Sequence, residues 1–455
     1  MTLLLCCIYS KLVYQPAVPG LLLLDSQLLA MPLLPIPSAA RRIFQMAISP
    51  SLPLNSHGFH SSVASKLPEV FIVAAGRTPV GSMSGSLKAL SATELGAQVV
   101  KATIDRAGLK PSDVEEVYMG NVLQANLGQS PARQVVIGAG CPESTEATTI
   151  NKVCASGMKS IILATQNLQT GNRSVMVAGG MESMSNSPFY LPRGSTFGHF
   201  QASDSIVKDG LWDAYNQIHM GSCAEETAVK HSIGREAQDD YAIESYSRAK
   251  KAWDAGVFKE EIVPVEIKDK RSGKVVLVSE DEEYKNIKLD KVRALRPVFK
   301  KENGTVTAAN ASTLNDGASA VVVMTGDKAD SMGIKKLAKI ISYADAACAP
   351  IDFPIAPTLA IPIALEKAGL KIEDMAKIEI NEAFSVVALA NLKVLGINSD
   401  RVNVYGGAVA LGHPIGSSGC RIIVTLAHSL KPGEYGLAGV CNGGGAASAM
   451  VIQRV

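Results

Sequence analysis

Residues 147–171 read ATTINKVCASGMKSIILATQNLQTG, in which a strand-like run leads directly into an amphipathic segment. Apolar side chains recur there at helical spacing, at Met158, Ile161, Ile162 and Leu168. This spacing predicts a helix that begins at Ser156 or Gly157 and ends at Gly171. Cys154 therefore lies just beyond a strand and just before a helix, where the binding sites of open α/β sheets tend to lie.

The chain before this segment alternates in the same way between strands and helices. Residues 69–75 form an apolar run that predicts a buried strand, and a second strand is predicted at 114–118. Between them a helix is predicted at 91–107, capped by Ser91 or Thr93. Alternating strands and helices indicate an α/β architecture.

A weak internal echo favours a duplicated fold. Cys441 follows the strand-like run 435–440, as Cys154 follows the strand-like run 147–153. Each half of the chain thus places a cysteine at the carboxyl end of a strand, although so short a similarity does not prove duplication.

Changes in composition divide the chain into four regions. They are an extension at 1–66, one half at 67–183 with 311–334, an insertion at 184–310, and a second half at 335–455. The insertion is richer in charged and aromatic residues than its flanks, so we interpret it as a cover over a site.

The first 66 residues differ in kind from the rest. Asp25 is their only acidic residue, and they carry Arg41, Arg42 and several serines. This composition predicts a mitochondrial transit peptide and a matrix protein, with a secretory signal or an unprocessed tail as alternatives. The apolar run 21–34 is short and interrupted by Asp25, so no membrane span is expected.

Charge and cysteine content exclude several classes of protein. The formal net charge of +2 gives no electrostatic case for nucleic acid as a partner. The eight cysteines are too sparse for a disulfide scaffold and lack the paired spacing of zinc sites. A reducing compartment is the simpler prediction.

Cys154 is the first candidate catalytic residue. The partial positive charge at a helix N-terminus favours thiolate over thiol, and the thiolate is the competent nucleophile. The alternative is a small buried apolar side chain without chemistry.

Three further motifs carry polar groups suited to acyl chemistry. His413, in the glycine-dense run 406–416, can take a proton from a thiol, unless it is only a turn residue whose direction Pro414 fixes. Cys441 precedes three glycines whose N–H groups can hold an oxyanion, with a tight turn between strands as the alternative. Asn381 either caps a helix or orients a water or a carbonyl.

These motifs resemble those of the thiolase family in type and in order. They are NKVCASG at 151–157, NEAF at 381–384, GHP at 412–414 and CNGGG at 441–445. The resemblance spans about residues 69–455. It implies an α/β thiolase fold of two duplicated βαβαβαββ halves in a five-layered α-β-α-β-α core, with 184–310 as a loop domain that binds coenzyme A.

The resemblance also implies a reaction. Acetoacetyl-CoA would be cleaved by coenzyme A, or two acetyl-CoA condensed, through an acetyl group on Cys154. His413 would take the Cys154 proton, and Cys441 would move the substrate proton. One oxyanion would be held by His413 and a water on Asn381, and the other by the N–H groups of Cys154 and Gly443.

Ligand positions carried over from the family are more numerous. For coenzyme A they are His219, Tyr246, Asn286, Ile287, Lys288, Lys291 and Ser312. For a potassium ion they are Tyr246, Ala308, Ala309, Ala311 and Val409. No prosthetic group is expected, and a homotetramer is implied because family members are commonly tetramers.

Particular residues refine the resemblance. Phe353-Pro354 resembles the branch that also accepts 2-methylacetoacetyl-CoA, which connects ketone-body and isoleucine metabolism. Asn286 stands where relatives commonly carry arginine, and Tyr405 stands where they carry asparagine; Lys288 is the alternative nucleotide contact. The basic groups near Asn286 have a solvated surface as their alternative reading.

Two other functions stay open on the sequence. Another condensing enzyme, such as a ketoacyl synthase, would replace the second cysteine by histidine or asparagine, so Cys441 argues against it. A non-catalytic acyl-CoA or lipid carrier on the same fold would bind without turnover.

Overall fold

The computed structural model describes residues 67–194, 197–269 and 272–455, so the predicted leader lies outside the described residues. The strands are β1 Val70–Arg77, β2 Gly81–Ser82, β3 Glu116–Gly120, β4 Glu146–Ile150, β5 Val175–Ser183, β6 Phe189–Tyr190, β7 Ser203–Asp204, β8 Trp212–Asp213, β9 Ile218–His219, β10 Val265–Lys268, β11 Val275–Val278, β12 Asn315–Thr325, β13 Ala338–Ala347, β14 Met375–Ile380, β15 Tyr435–Asn442 and β16 Ala446–Arg454. The α-helices are α1 Ala92–Arg106, α2 Pro131–Gly138, α3 Ser156–Gln169, α4 Met220–Lys230, α5 Arg235–Asp254, α6 Glu283–Asn286, α7 Gly326–Ser331, α8 Pro357–Ala368, α9 Ser385–Leu395, α10 Ala408–Leu411 and α11 Ile415–Ser429.

The main sheet repeats one strand order in the two halves of the chain. The first half contributes β4-β3-β5-β12-β1, and the second contributes β14-β15-β16-β13 with a parallel bridge from Ile378 to Val402 beyond β14. In the first set β3 pairs in parallel with β4 and β5, and β12 pairs antiparallel with β5 and β1. In the second set β14 pairs in parallel with β15, and β16 pairs antiparallel with β15 and β13. A short antiparallel contact between β1 and β13 joins the two sets. The duplication predicted from the cysteine echo is therefore confirmed.

Both faces of each strand set are covered, which creates the layers. In β1 the side chain of Ile72 joins a central apolar cluster, whereas its neighbours Phe71 and Val73 join an outer one. In β16 Ile452 and Val451 divide in the same way between the central cluster and a second outer cluster. Such alternation follows from the two-residue period of a strand.

Helices fill the three helical layers. The central layer is α3 and α11, which pack against each other and against the strands; α1 and α2 cover the first strand set, and α8 covers the second. This is the five-layered α/β arrangement expected from the resemblance. Within the described residues, no helix combines the length and apolar character that crossing a bilayer requires.

The central helices meet through backbone rather than through side chains. A Cβ on Gly157 of α3 would lie 2.7 Å from the backbone nitrogen of Cys420, and one on Gly419 of α11 would lie 2.7 Å from that of Met158. Both distances are shorter than a carbon–nitrogen contact allows, so only glycine permits this approach. The N-terminal ends of α3 and α11 consequently lie side by side.

Most local predictions agree with the helix boundaries. Ser91 caps α1 in a capping box with Glu94, and α3 begins at Ser156 as the apolar spacing predicts. The helix-capping alternative for Asn381 is wrong, because α9 begins at Ser385 with Phe384 as its N-cap residue. Asn381 is thereby left with its side chain free for another role.

The insertion contributes helices that press onto the second half. Helix α5 packs on α10 and α9, and α4 packs on α9 and on the turn Pro350–Ile355. The insertion therefore reaches the helix that follows NEAF and the helix immediately before His413.

Enlarging Gly157 should destabilise the fold by separating the central helices. We expect Gly157→Ala to lower the free energy of unfolding by about 1–3 kcal/mol and Gly157→Val to lower it further. Urea denaturation followed by tryptophan fluorescence measures the loss. Gly234→Ala is the control, since its Cβ would meet nothing within 4 Å; an unchanged midpoint for Gly157→Val would contradict the packing described.

Candidate active site

A cavity of ≈ 230 Å³ brings together the two halves and the insertion. Cys154 contributes from the first half, His413 and Gly443 from the second, and His219 and Phe299 from the insertion. Several apolar side chains complete the wall: Met184, Leu211, Met220, Leu314, Phe353, Phe384 and Ile415. Three of the five predicted catalytic residues thus line one chamber.

The turn before Cys154 is locally constrained. Val153 has a φ of +48°, an uncommon conformation for a β-branched residue. Its N–H donates to Asn151 Oδ1 at 3.0 Å, and its carbonyl oxygen accepts from Ser156 Oγ at 2.6 Å. These bonds hold the turn so that Cys154, 8 % exposed, faces the cavity.

The Cys154 sulfur is a thiol in the resting protein. Burial raises the pKa of Cys154 to about 12, although hydrogen bonds from the N–H groups of Gly443 and of Cys154 itself act in the opposite direction. The N–H groups at this helix N-terminus favour the thiolate as expected, but loss of solvent outweighs them. A base must remove the proton before the sulfur can attack.

His413 lines the same cavity as Cys154 and is unprotonated, so it is able to accept a proton. Burial, assisted by the nearby charge of Arg421, lowers the pKa of His413 to about 3, so the imidazole is neutral near pH 7. Its Nδ1 lies 2.6 Å from Ser418 Oγ, and its Nε2 lies 3.5 Å from Asn381 Nδ2. Its backbone N–H donates to Asn315 Oδ1 at 2.8 Å, which fixes the turn before α11.

Cys441 lies behind the cavity wall near the end of β15. It is fully buried in an apolar cluster with Met220, Phe353 and Phe384, three residues that line the cavity. Burial, and then the proximity of Cys154, raises the pKa of Cys441 well above its usual value. The two cysteines therefore belong to one site.

Asn381 offers a free acceptor beside the imidazole. Its Nδ2 faces His413, and its Oδ1 is buried without a hydrogen-bond partner among the described residues. A buried acceptor of this kind is costly unless a bound molecule satisfies it. The next residue, Glu382, accepts from Tyr241 and Ser245 of α5, which ties the insertion to Asn381.

A surface groove adjoins the cavity and carries several positions expected to bind coenzyme A. The two depressions share Phe299, Ala311, Ser312, Thr313 and Leu314, and the groove extends to Asn286. His219 stacks on Phe299 with ring centroids 4.7 Å apart, and Ser312 donates to the Ala383 carbonyl at 2.9 Å. His219, Ser312 and Asn286 thus follow one path from the cavity to the surface.

The other expected coenzyme positions are dispersed. Lys288 and Lys291 are exposed, and Ile287 packs at the edge of a buried cluster. Tyr246 is only 4 % exposed and lies inside that cluster with Val409. Its burial suits an internal role better than a contact with a ligand on the surface.

The residues expected around potassium supply oxygen donors. Tyr246 and Val409 share a buried cluster. Burial raises the pKa of Tyr246, and the nearby carboxylates of Glu283 and Glu382 raise it further. The loop bearing Ala308, Ala309 and Ala311 is held to α5 by Asn310, whose Nδ2 donates to Asp239 Oδ1 at 2.9 Å. Among the described residues, no group of three His, Cys, Asp or Glu side chains suggests a different metal. Carbonyl, phenol and nearby negative charge fit a hard monovalent cation.

Tyr405 contacts two neighbouring side chains. Its hydroxyl accepts from Lys377 Nζ at 2.8 Å, and its ring meets Phe258 edge-on with centroids 6.2 Å apart. The departure from asparagine at this position therefore comes with a separate set of contacts.

Two residues of the site were missed by the sequence analysis. Ser418 contacts His413, and a serine in the first turn after a catalytic histidine could have been singled out by its position. Glu182 accepts from the N–H groups of Gly416 at 2.9 Å and Val122 at 3.1 Å, joining the start of α11 to the loop after β3. No local pattern distinguishes Glu182, because its partners are distant in sequence.

Comparison with known proteins covers almost all of the described chain. The thiolase N-terminal domain matches residues 70–327, and the thiolase C-terminal domain matches residues 334–454. Mitochondrial acetyl-CoA acetyltransferase of Bos taurus is 60% identical over 390 residues, which cover 86% of this chain and 92% of that protein. The protein of that name from Homo sapiens is 59% identical over 390 residues, covering 86% and 91%. The Acat5 thiolase of Ascaris suum, solved in complex with coenzyme A, has 50% identity and a TM-score of 0.82, over 85% of this chain and 100% of that chain.

The low pKa of His413 predicts a pH-dependent stability. The pKa of a histidine in an unfolded chain is about 6.5, whereas that of His413 in the folded protein is about 3. Between these two pH values the unfolded chain binds a proton at His413 and the folded chain does not. Stability is therefore lost as the pH falls through this window. His413→Asn, which cannot titrate, should lose less stability than the native chain between about pH 7 and about pH 4.5.

Urea midpoints at several pH values test this expectation. His199→Asn is the control, because it makes the same substitution at an exposed position outside the cavity lining. Parallel curves for the native chain and His413→Asn would show that His413 is not excluded from protonation.

Proposed function

Because this chain belongs to the thiolase family, we propose that it is an acetyl-CoA C-acetyltransferase that reversibly cleaves acetoacetyl-CoA with coenzyme A. The two family domains match residues 70–327 and 334–454, and relatives that bear this enzyme name are about 60% identical over 390 residues. The observation that carries the proposal is the shared site of Cys154, His413 and Cys441. Two sulfurs and one imidazole are the groups that a two-step acyl exchange requires.

The first step loads Cys154. Neutral His413 takes the thiol proton, and the sulfur attacks the thioester of acetyl-CoA or the 3-keto carbon of acetoacetyl-CoA. The N–H groups of Cys154 and Gly443, which are close enough to the sulfur to lower its pKa, are suited to hold an oxyanion. Collapse of this intermediate leaves an acetyl thioester on Cys154 and releases coenzyme A or an acetyl-CoA enolate.

The second step needs a proton carrier. In cleavage Cys441 gives its proton to the enolate; free coenzyme A then gives its thiol proton to Cys441 and attacks acetyl-Cys154, whose acetyl group leaves as acetyl-CoA. In condensation Cys441 has already given its proton to the departing coenzyme A thiolate in the first step, and the Cys441 thiolate then removes the α-proton of a second acetyl-CoA. The enolate then attacks acetyl-Cys154, with His413 and a water on Asn381 around the second oxyanion. A free acceptor at Asn381 Oδ1 supports this assignment, since such a water must donate a hydrogen bond to be held.

Coenzyme A is proposed to lie along the groove. His219 and Ser312 would flank the pantetheine arm, while Asn286, Ile287, Lys288 and Lys291 would meet the nucleotide at the surface. Phe353 lines the acyl end of the cavity, and with Pro354 it supports 2-methylacetoacetyl-CoA as a further substrate. The enzyme would then serve ketone-body and isoleucine metabolism.

Localisation and assembly are part of the proposal. A leader at 1–66 with a single acidic residue, and relatives named as mitochondrial, support the mitochondrial matrix. A homotetramer is proposed from the family alone. The halves 67–183 with 311–334 and 335–455, and the coenzyme-binding insertion 184–310, are its proposed units.

Cysteine variants separate the two steps. Cys154→Ala should abolish acetylation by radiolabelled acetyl-CoA, since no other group carries the acyl chain. Cys441→Ala should still become acetylated but should condense acetyl-CoA at least about 10²-fold more slowly, because the α-proton has no acceptor. Normal condensation by Cys441→Ala would contradict its role. Cys141→Ala, a buried cysteine outside the site, is the control and should retain both activities.

Potassium should raise activity above that in sodium at equal ionic strength. Tyr246, Ala308, Ala309, Ala311 and Val409 would hold the ion and stiffen the loops beside Ser312 and His413. Steady-state thiolysis rates in chloride salts of the two cations provide the measurement. Tyr246→Phe should reduce the difference between the rates in potassium and in sodium. Equal rates of the native enzyme in the two salts would contradict the proposed potassium site.

A further inference from the structure

One contact of the catalytic imidazole is not used by the steps above. His413 Nδ1 lies 2.6 Å from Ser418 Oγ, and the two residues are 5 % and 1 % exposed. Ser418 lies in the first turn of α11, five residues after His413, so the contact closes around Pro414. Because water is excluded from this contact, one of its two atoms must donate a proton and the other must accept it.

The donors and acceptors at this contact can be assigned by counting protons. A serine hydroxyl has one proton to donate and lone pairs that accept. The Ser418 hydroxyl donates to the Pro414 carbonyl oxygen at 3.0 Å, the bond from i to i−4 that serine often makes in helices. Its oxygen is therefore an acceptor toward His413, and Nδ1 must supply the proton.

The opposite side of the ring agrees with this assignment. A neutral imidazole carries a proton on one nitrogen only, so Nε2 is left with its lone pair. Nε2 faces a donor, the Asn381 Nδ2 amide, at 3.5 Å. We infer that Ser418 is a positioning residue that holds His413 in the Nδ1-protonated tautomer and keeps Nε2 free to receive the Cys154 proton.

The neighbouring serine offers a matched comparison. Ser417 is 2 % exposed and also lies in the first turn of α11, but its hydroxyl contacts Ser319 Oγ at 2.8 Å. Removing either hydroxyl perturbs the same buried turn by one oxygen atom. Only the loss at position 418 deprives Nδ1–H of its acceptor.

The catalytic meaning of the inference rests on the proposed function, whereas the tautomer is a property of the resting protein. The full chain labelled with ¹⁵N-histidine is examined by long-range ¹H–¹⁵N correlation, with the His413 signals identified by their loss in His413→Asn. We expect a protonated Nδ1 and an unprotonated Nε2 in the native chain and in Ser417→Ala. In Ser418→Ala the Nε2-protonated form should appear.

Rates of Cys154 acetylation complete the test. Ser418→Ala should slow acetylation by about 10²-fold, while Ser418→Thr, which keeps the hydroxyl, should retain the native tautomer and most of the rate. A protonated Nε2 in the native chain, or an unaltered tautomer in Ser418→Ala, would overturn the inference. If the tautomer shifts as expected but the native chain is never acetylated, the proposed function fails and the assignment of Ser418 stands.

Discussion

The approach of α3 to α11 through bare backbone is the constraint on which the site depends. Gly157 and Gly419 allow the two helices to touch at distances that a methyl group would prevent, and a Cβ on Gly180 would lie 2.0 Å from the carbonyl oxygen of Gly416. Because α3 begins just after Cys154 and α11 just after His413, this contact sets the spacing of these two residues. Residues 259 positions apart in the chain become neighbours through glycine packing.

Burial then gives all three catalytic side chains their resting charge. The pKa of both thiols is raised and that of the imidazole is lowered, so Cys154, Cys441 and His413 are each neutral near pH 7. Charge develops only when a proton moves, and in a site of low polarity the fixed N–H groups of Cys154 and Gly443 act on it strongly. Transfer of the Cys154 proton to His413 is therefore uphill in the resting site, and the fixed N–H groups must stabilise the charge that forms.

The insertion reaches this centre through hydrogen bonds that no local pattern reveals. Glu382 accepts from Tyr241 and Ser245 of α5 and also from the N–H of Val409, just before the His413 turn. Helix α5 is thus connected, through Glu382, to the segments that carry Asn381 and His413.

Sequence reasoning succeeded where the determinants are local. Periodicity predicted the start of α3, and the repeated strand–cysteine pattern predicted the duplicated order of strands. It predicted that the helix terminus favours the thiolate of Cys154 but not how strongly burial opposes this, because a helix terminus is visible in sequence whereas depth of burial is not. It also missed Ser418, whose role depends on the direction of one hydroxyl.

Peptide mapping of the acetylated enzyme tests the central claim most directly. The native chain is mixed with acetyl-CoA, quenched in acid, digested and analysed by mass spectrometry. We expect an acetyl thioester on the peptide that contains Cys154 and none on the peptides that contain Cys441 or Cys348. Acetyl on another cysteine, or no covalent acetyl at all despite turnover, would contradict it.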